Sequence, residues 1–297
     1  MLKPADARRI LRTRPFFRNI QPTSPWAKFL EHFESNANVS VPLENEMDFP
    51  QLSSVQRREL LRSLKIFQRG ETGEGRIVNA VDEASFHPLD HEYRKSLRLF
   101  VAEEGRHARI LGIIIQNLNR QGSEYVVPNG DSRPLLCSSN IDEPEDQDDT
   151  ANENSCKADS SISYRLFYAA RGLMGIRLKV MVLLCAEIIG CECYDILARA
   201  LGSSSAARNI RSIRNDEQTH LRFHSQFFHL LGRNGTGRRL FLAMYFPIAA
   251  AACVTVLLEH LTLFRAFEVS PWHVLKRFMV RMGHGKNMIL NGAMEAA

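Results

Sequence analysis

Two short patterns in the chain could do chemistry, Glu104-Gly-Arg-His107 and Glu217-Gln-Thr-His220. Each is Glu-x-x-His. On a helix, residues three apart leave the same face one turn apart. A carboxylate and an imidazole so placed can share a divalent cation, and the second carboxylate oxygen can reach another. The pattern is short enough to arise by chance, so its setting decides. Glu104 and His107 fall in phase with Leu97, Phe100, Leu111 and Ile114. Glu217 and His220 fall in phase with Ile210, Ile213, His224, Phe227 and Leu231. A carboxylate on an apolar stripe is costly unless something compensates its charge.

Each motif also follows a second in-phase glutamate on an earlier helix. Glu71 lies 33 residues before Glu104, and Glu187 lies 30 before Glu217. Glu71 is in step with Leu60, Leu64, Phe67, Val78 and Val81, which predicts one helical run from about residue 53. Glu187 is in step with Val180, Leu183, Leu184, Cys191 and Tyr194 on a helix expected from about 163 to 200. Glu74 competes with Glu71, being in phase and 30 residues before Glu104. The turn signal His87-Pro88-Leu89-Asp90, with Asp90 as N-cap, centres the first hairpin where Glu71 suits better. Two helical hairpins would then bring four carboxylates and two imidazoles together. That set carries four negative charges, enough to neutralise two divalent cations, which explains how a core could tolerate it. Iron, manganese and mixed pairs all suit these ligands.

Gly70-Glu71-Thr72 followed by Glu104-x-x-His107, and Ala186-Glu187 with Tyr194 seven residues on, resemble the ferritin-like di-iron carboxylate superfamily over roughly 55–118 and 165–231. The first helix is similar to those of rubrerythrin-type members. The resemblance implies an all-α, ferritin-like four-helix bundle. It also implies a metal set of Glu71, Glu104, His107, Glu187, Glu217 and His220, two Fe ions (or Mn, or a mixed pair), and O₂ as co-substrate. Cys pairs of the rubredoxin type are absent, so rubrerythrin itself does not fit. The long acidic connection and the late apolar helices exceed a minimal ferritin.

Other residues near these motifs have two readings each. A ligating His224 would resemble the arylamine N-oxygenases; otherwise it is a core histidine bonded to a carbonyl or an acid. Asp216 either hydrogen-bonds a ligand histidine or stands at the helix surface. Tyr194 is a redox tyrosine or, on the favoured reading, a packed phenol. Glu259 is an extra ligand or proton relay, or pairs locally with Arg265. Glu103, beside Glu104, is expected to point off the stripe to solvent.

The elements that must position these residues read as helices nearly throughout. Residues 1–52 form a proline-punctuated N-terminal arm with a short helix near Trp26–Phe33. Residues 53–283 form the helical body, interrupted by a connection at 121–162, and 284–297 form a tail. One helix is expected to end near Leu118, and Gly202-Ser203-Ser204-Ser205 to stop one helix and cap the next. Gly232 should end that one, with further helices over 236–267 and 271–283. The chain has 297 residues, 44% apolar and 24% charged, with mean hydropathy −0.22. That excludes a polytopic membrane protein and a wholly disordered chain. The net charge of +5 is uneven. Residues 134–161 hold eight acids and one Lys, while 162–297 hold 17 Lys/Arg against eight Asp/Glu. The six cysteines form no C-x-x-C pair, which argues against a zinc ribbon and for unpaired thiols in a reducing compartment.

No apolar signal core opens the chain, and a cytoplasmic protein is expected. Phe241 to Leu258 is 18 residues without a charge, at the lower length for a membrane span. Pro247, Thr255 and the following Glu259–His260 favour a buried bundle helix, with membrane contact the lesser reading. The leading expectation is a di-iron oxidase or oxygenase using an external electron donor and a small apolar organic substrate. A ferroxidase without organic substrate and a tRNA-modifying hydroxylase are the alternatives, since the basic half permits nucleic-acid contact. A homodimer is compatible with all three.

Overall fold

The structure is a computed structural model, which describes residues 24–37, 47–72, 75–85, 88–123, 175–232 and 235–292. Glu74, His87, residues 1–23 and most of the acidic connection lie outside the described residues. The described part is all-α. Its helices are α1 (Ala27–Ala37), α2 (Ser54–Glu71), α3 (Arg76–Glu83), α4 (His91–Ser123), α5 (Ile176–Ala200), α6 (Ser205–Leu231), α7 (Gly235–Glu259), α8 (Leu261–Ala266) and α9 (Pro271–Asn291).

Most helix ends follow local capping chemistry. Ser53 accepts from the Gln56 amide while the Gln56 side chain accepts from the Ser53 amide, closing a capping box at α2. Asp90 accepts from the Tyr93 amide at 2.8 Å and starts α4 as its position implied. Ser204 does the same for α6 through Ala207 at 3.1 Å. Gly202 adopts φ +67° just past α5, a left-handed turn that favours glycine.

Several boundaries differ from the sequence expectation. The run expected to continue through Val81 breaks after Glu71, and α3 starts afresh at Arg76. Gly70, Gly73 and Gly75 crowd this stretch, and each weakens a helix by up to about 1 kcal/mol. The third major helix starts at Ile176 on a Gly175 cap, not near Ser163, and residues 163–174 lie outside the description. The segment expected as 236–267 is broken at His260. The last helix runs to Asn291, so residues 284–291 are not tail.

Helix α2 packs on α4, and α5 packs on α6; α4 also meets α6, and α3 meets α5. The space between these pairs is lined by the stripes read from sequence, with Leu60, Leu64, Phe100, Leu111, Leu184 and Ile213 all fully or almost fully buried. The N-terminal helix is part of this core. Trp26, Phe29 and Phe33 are buried, and Trp26 packs at a tilt against Tyr93 at 4.7 Å and edge-to-face against Phe223 at 5.4 Å. Its indole N–H donates to the Pro88 carbonyl, so α1 is latched to the start of α4.

The C-terminal helices pack outside α5 and α6. Buried Glu192 of α5 accepts from Arg277 at 2.6 Å and Arg281 at 2.8 Å, which fixes α9. Cys185, Cys191, Cys193 and Cys253 are free and buried, as expected of small apolar residues. Burial pushes the Cys253 thiol up to about 12.

Candidate metal centre

Glu104 and His107 sit mid-way along α4, and Glu217 and His220 mid-way along α6. All four are buried, and one ligating atom from each lies within 4.8 Å of all the others. Both imidazoles aim the same nitrogen inward. His107 Nδ1 is 3.3 Å from Glu217 Oε1 and 3.9 Å from Glu104 Oε1. His220 Nδ1 is 2.8 Å from Glu104 Oε1 and 3.4 Å from Glu217 Oε2. The two remaining sequence candidates adjoin the group. Glu71, the last residue of α2, reaches within 4.0 Å of His107 Nδ1, and Glu187 of α5 within 3.8 Å of His220 Nδ1.

The outward nitrogens are held crosswise. His107 Nε2, from α4, is 3.1 Å from Asp216 of α6. His220 Nε2, from α6, is 3.0 Å from Glu103 of α4. Asp216 therefore takes the ligand-supporting reading. The expectation for Glu103 is corrected: its side chain is buried, not turned to solvent. A glutamate one position before Glu104 escapes the stripe only if nothing polar waits beside it, and here an imidazole does. Arg106 donates to both Glu103 and Asp216, the latter at 3.0 Å. Asn36 of α1 also donates to both, at 2.5 and 3.2 Å. Arg106 in turn donates to the Asn36 carbonyl at 2.9 Å. Sequence reasoning missed Arg106 and Asn36. The signal for Glu103 was present, since an acid directly precedes both Glu-x-x-His motifs.

The electrostatics follow from crowding acids in a dry space. Burial, then the neighbouring Glu104, pushes the Glu71 carboxyl well up. Burial, then Glu217, does the same to Glu187. Burial opposes the charged form of His107, but Asp216, Glu217 and Glu104 outweigh it and lift the imidazole to about 9. His220 is raised against its burial in the same way by Glu104 and Glu103.

The residues fit a metal ion on an observation independent of the motif. Glu104 Oε1 and His220 Nδ1 face each other at 2.8 Å, and Glu217 Oε1 and His107 Nδ1 at 3.3 Å, yet none of these four buried atoms makes an aligned hydrogen bond. Such groups are costly unless satisfied. One Lewis acid placed among them would satisfy all four. The crosswise acids support this, because an Nε2–H donated to a carboxylate leaves the Nδ1 lone pair facing inward.

The neighbours are aromatic and aliphatic. Phe100 sets its edge against His220 at 4.7 Å and His224 at 4.9 Å. His224 is fully buried, its Nε2 3.7 Å from Glu187 Oε1. Tyr194 is buried and donates its hydroxyl to Glu71. Glu259 falls elsewhere, at the α7–α8 break, where its carbonyl accepts from Arg62. His260 there bonds Ser63 at 2.8 Å and stacks on Phe67 at 4.6 Å. No family model matches the chain, and no curated protein matches it.

Proposed function

We propose that the chain is a ferritin-like di-iron carboxylate oxidase or oxygenase acting with O₂ on an apolar organic substrate. The observation that carries this is the crosswise centre. Two Glu-x-x-His helices present inward Nδ1 atoms and acid-held Nε2 atoms, with Glu71 and Glu187 completing an oxygen-rich set beside them. Glu71, Glu104 and His107 would hold one ion, and Glu187, Glu217 and His220 the other. When bound, such a pair supplies O₂ reduction and substrate oxidation.

The chain's own residues would do the rest. Asp216 and Glu103 fix the two rings in one tautomer and one orientation. Arg106 offsets the charge of those acids, and Asn36 helps to hold them by hydrogen bonds. Tyr194 steadies Glu71 at the C-terminal end of α2. Phe100, Leu183, Leu184 and Phe227, all buried, keep water out and suit an apolar substrate.

The test is O₂ uptake by protein loaded anaerobically with Fe(II), in the presence of a reductant and a panel of apolar compounds. The expected result is uptake that rises with one class of organic compound and falls to background in Glu104→Ala and Glu217→Ala. Uptake that tracks Fe(II) alone, unaffected by any compound, would make the protein a ferroxidase. No uptake by a protein that has bound iron would remove the oxygenase reading.

A further inference from the structure

We propose that the α7–α9 hairpin docks flat on an anionic lipid bilayer, as an interfacial rather than a spanning element. The sequence reading of α7 as a fully buried helix holds for one face only. Phe241, Tyr245, Ala249, Ala252, Cys253 and Val256 face the protein. The opposite face exposes Leu240, Phe246, Val254 and Leu258, with exposed Ala243, Pro247, Ala250 and Ala251 between them. Only 33% of the most apolar 18-residue window of this helix is buried.

The apolar exposure is concentrated. Of the eight large apolar side chains exposed among the described residues, seven lie on α7 and α9, the other three being Trp272 (72%), Met279 and Val280. Scattered exposed apolar residues need no explanation, but seven gathered on two helices that pack on each other do. Water is a poor solvent for such a face, so it calls for an apolar partner.

Charge selects the partner. Residues 235–292 carry seven Lys/Arg and two Asp/Glu. Arg277 and Arg281 are spent inward on Glu192. Exposed Arg239 continues the α7 stripe one turn before Ala243, and exposed Lys276 lies one turn after Trp272 on α9. Helix α9 contains no acid at all. An apolar band edged by basic side chains and an exposed Trp matches the headgroup boundary of an anionic leaflet. A second copy of the same basic face would repel it.

Spanning is disfavoured by the packing. The uncharged run from Leu240 to Leu258 is about 28 Å long at about 1.5 Å per residue, a little short of a ~30 Å hydrocarbon core. Its buried face is committed to α5, α6 and α9, which would have to enter the bilayer with it.

The test uses the full chain and two kinds of vesicle, neutral phosphatidylcholine and phosphatidylcholine mixed with phosphatidylglycerol. The protein is expected to float with the anionic vesicles, less at high salt, and to be released by alkaline carbonate. The chain has two Trp, and Trp26 is fully buried, so a vesicle-induced blue shift of emission reports Trp272. Phe246→Glu with Leu258→Glu should cut flotation at least about tenfold while leaving helicity and metal content unchanged. Should that pair misfold, Trp272→Phe alone should abolish the blue shift. Absence of both flotation and blue shift would overturn the proposal. So would a lipid-free dimer that the double variant splits, which would assign the face to a second copy. Retention after carbonate would assign it to a span.

Discussion

Glu103 and Asp216 each stand one position before a Glu-x-x-His, and each reaches the histidine of the opposite helix. Removing such an acid lowers metal affinity by about 10- to 100-fold in comparable sites, because the ring loses both its orientation and part of its basicity. Asp216→Ala and Glu103→Ala are therefore expected to weaken Fe(II) or Mn(II) binding by that factor in a chelator competition, with helicity retained. Unchanged affinity in both would remove the supporting role. The inward residues were legible because a carboxylate on an apolar stripe stands out. Glu103 was misread as solvent-facing although an acid precedes both motifs, because its partner lies 117 residues away on another helix. Asn36 lies in the last turn of α1, beyond the short helix expected near Trp26–Phe33, so no pattern pointed to it.

Helix α9 shows how packing sets the value of single positions. A Cβ at Gly285 would come within 2.6 Å of the Tyr245 hydroxyl, which is held by its bond to the Met282 carbonyl at 2.8 Å. A Cβ at Gly283 meets nothing within 4 Å. Gly283→Ala should gain up to about 1 kcal/mol of helix propensity. Gly285→Ala should lose that gain and more, since overpacking costs about 1–3 kcal/mol. Urea unfolding of the two variants checks the contrast, and equal stabilities would contradict the packing described. Capping at Ser53, Asp90 and Ser204 was readable from sequence, since caps are local chemistry. The break after Glu71 and the start at Gly175 were not, because apolar phase continued across both.

At the scale of the molecule, His260 ties the α7–α8 break to α2 through Ser63 and Phe67. Burial, the largest influence on it, depresses its imidazole to about 4 from an ordinary 6.5. The unfolded chain therefore binds the extra proton first. Stability is full above pH about 6.5 and falls toward pH about 4, by at most about 1.4 kcal/mol per pH unit from this group. Unfolding free energies of wild type and His260→Phe, measured across that range, should converge as the pH falls, the variant having the flatter slope. Parallel slopes would contradict the assignment. The all-α class followed from periodicity over most of the chain. The exposed face of α7 did not, because an uncharged helix reads the same whether neighbours cover one side or both.

The central claim is that Glu71, Glu104, His107, Glu187, Glu217 and His220 form one two-ion centre. Equilibrium dialysis of the apoprotein against Fe(II) or Mn(II) without oxygen, with metal counted per chain, tests it most directly. Two tightly bound ions per chain are expected, with loss of both in Glu104→Ala and Glu217→Ala, which remain helical. No more than one ion per chain, or two ions that survive both substitutions, would contradict it.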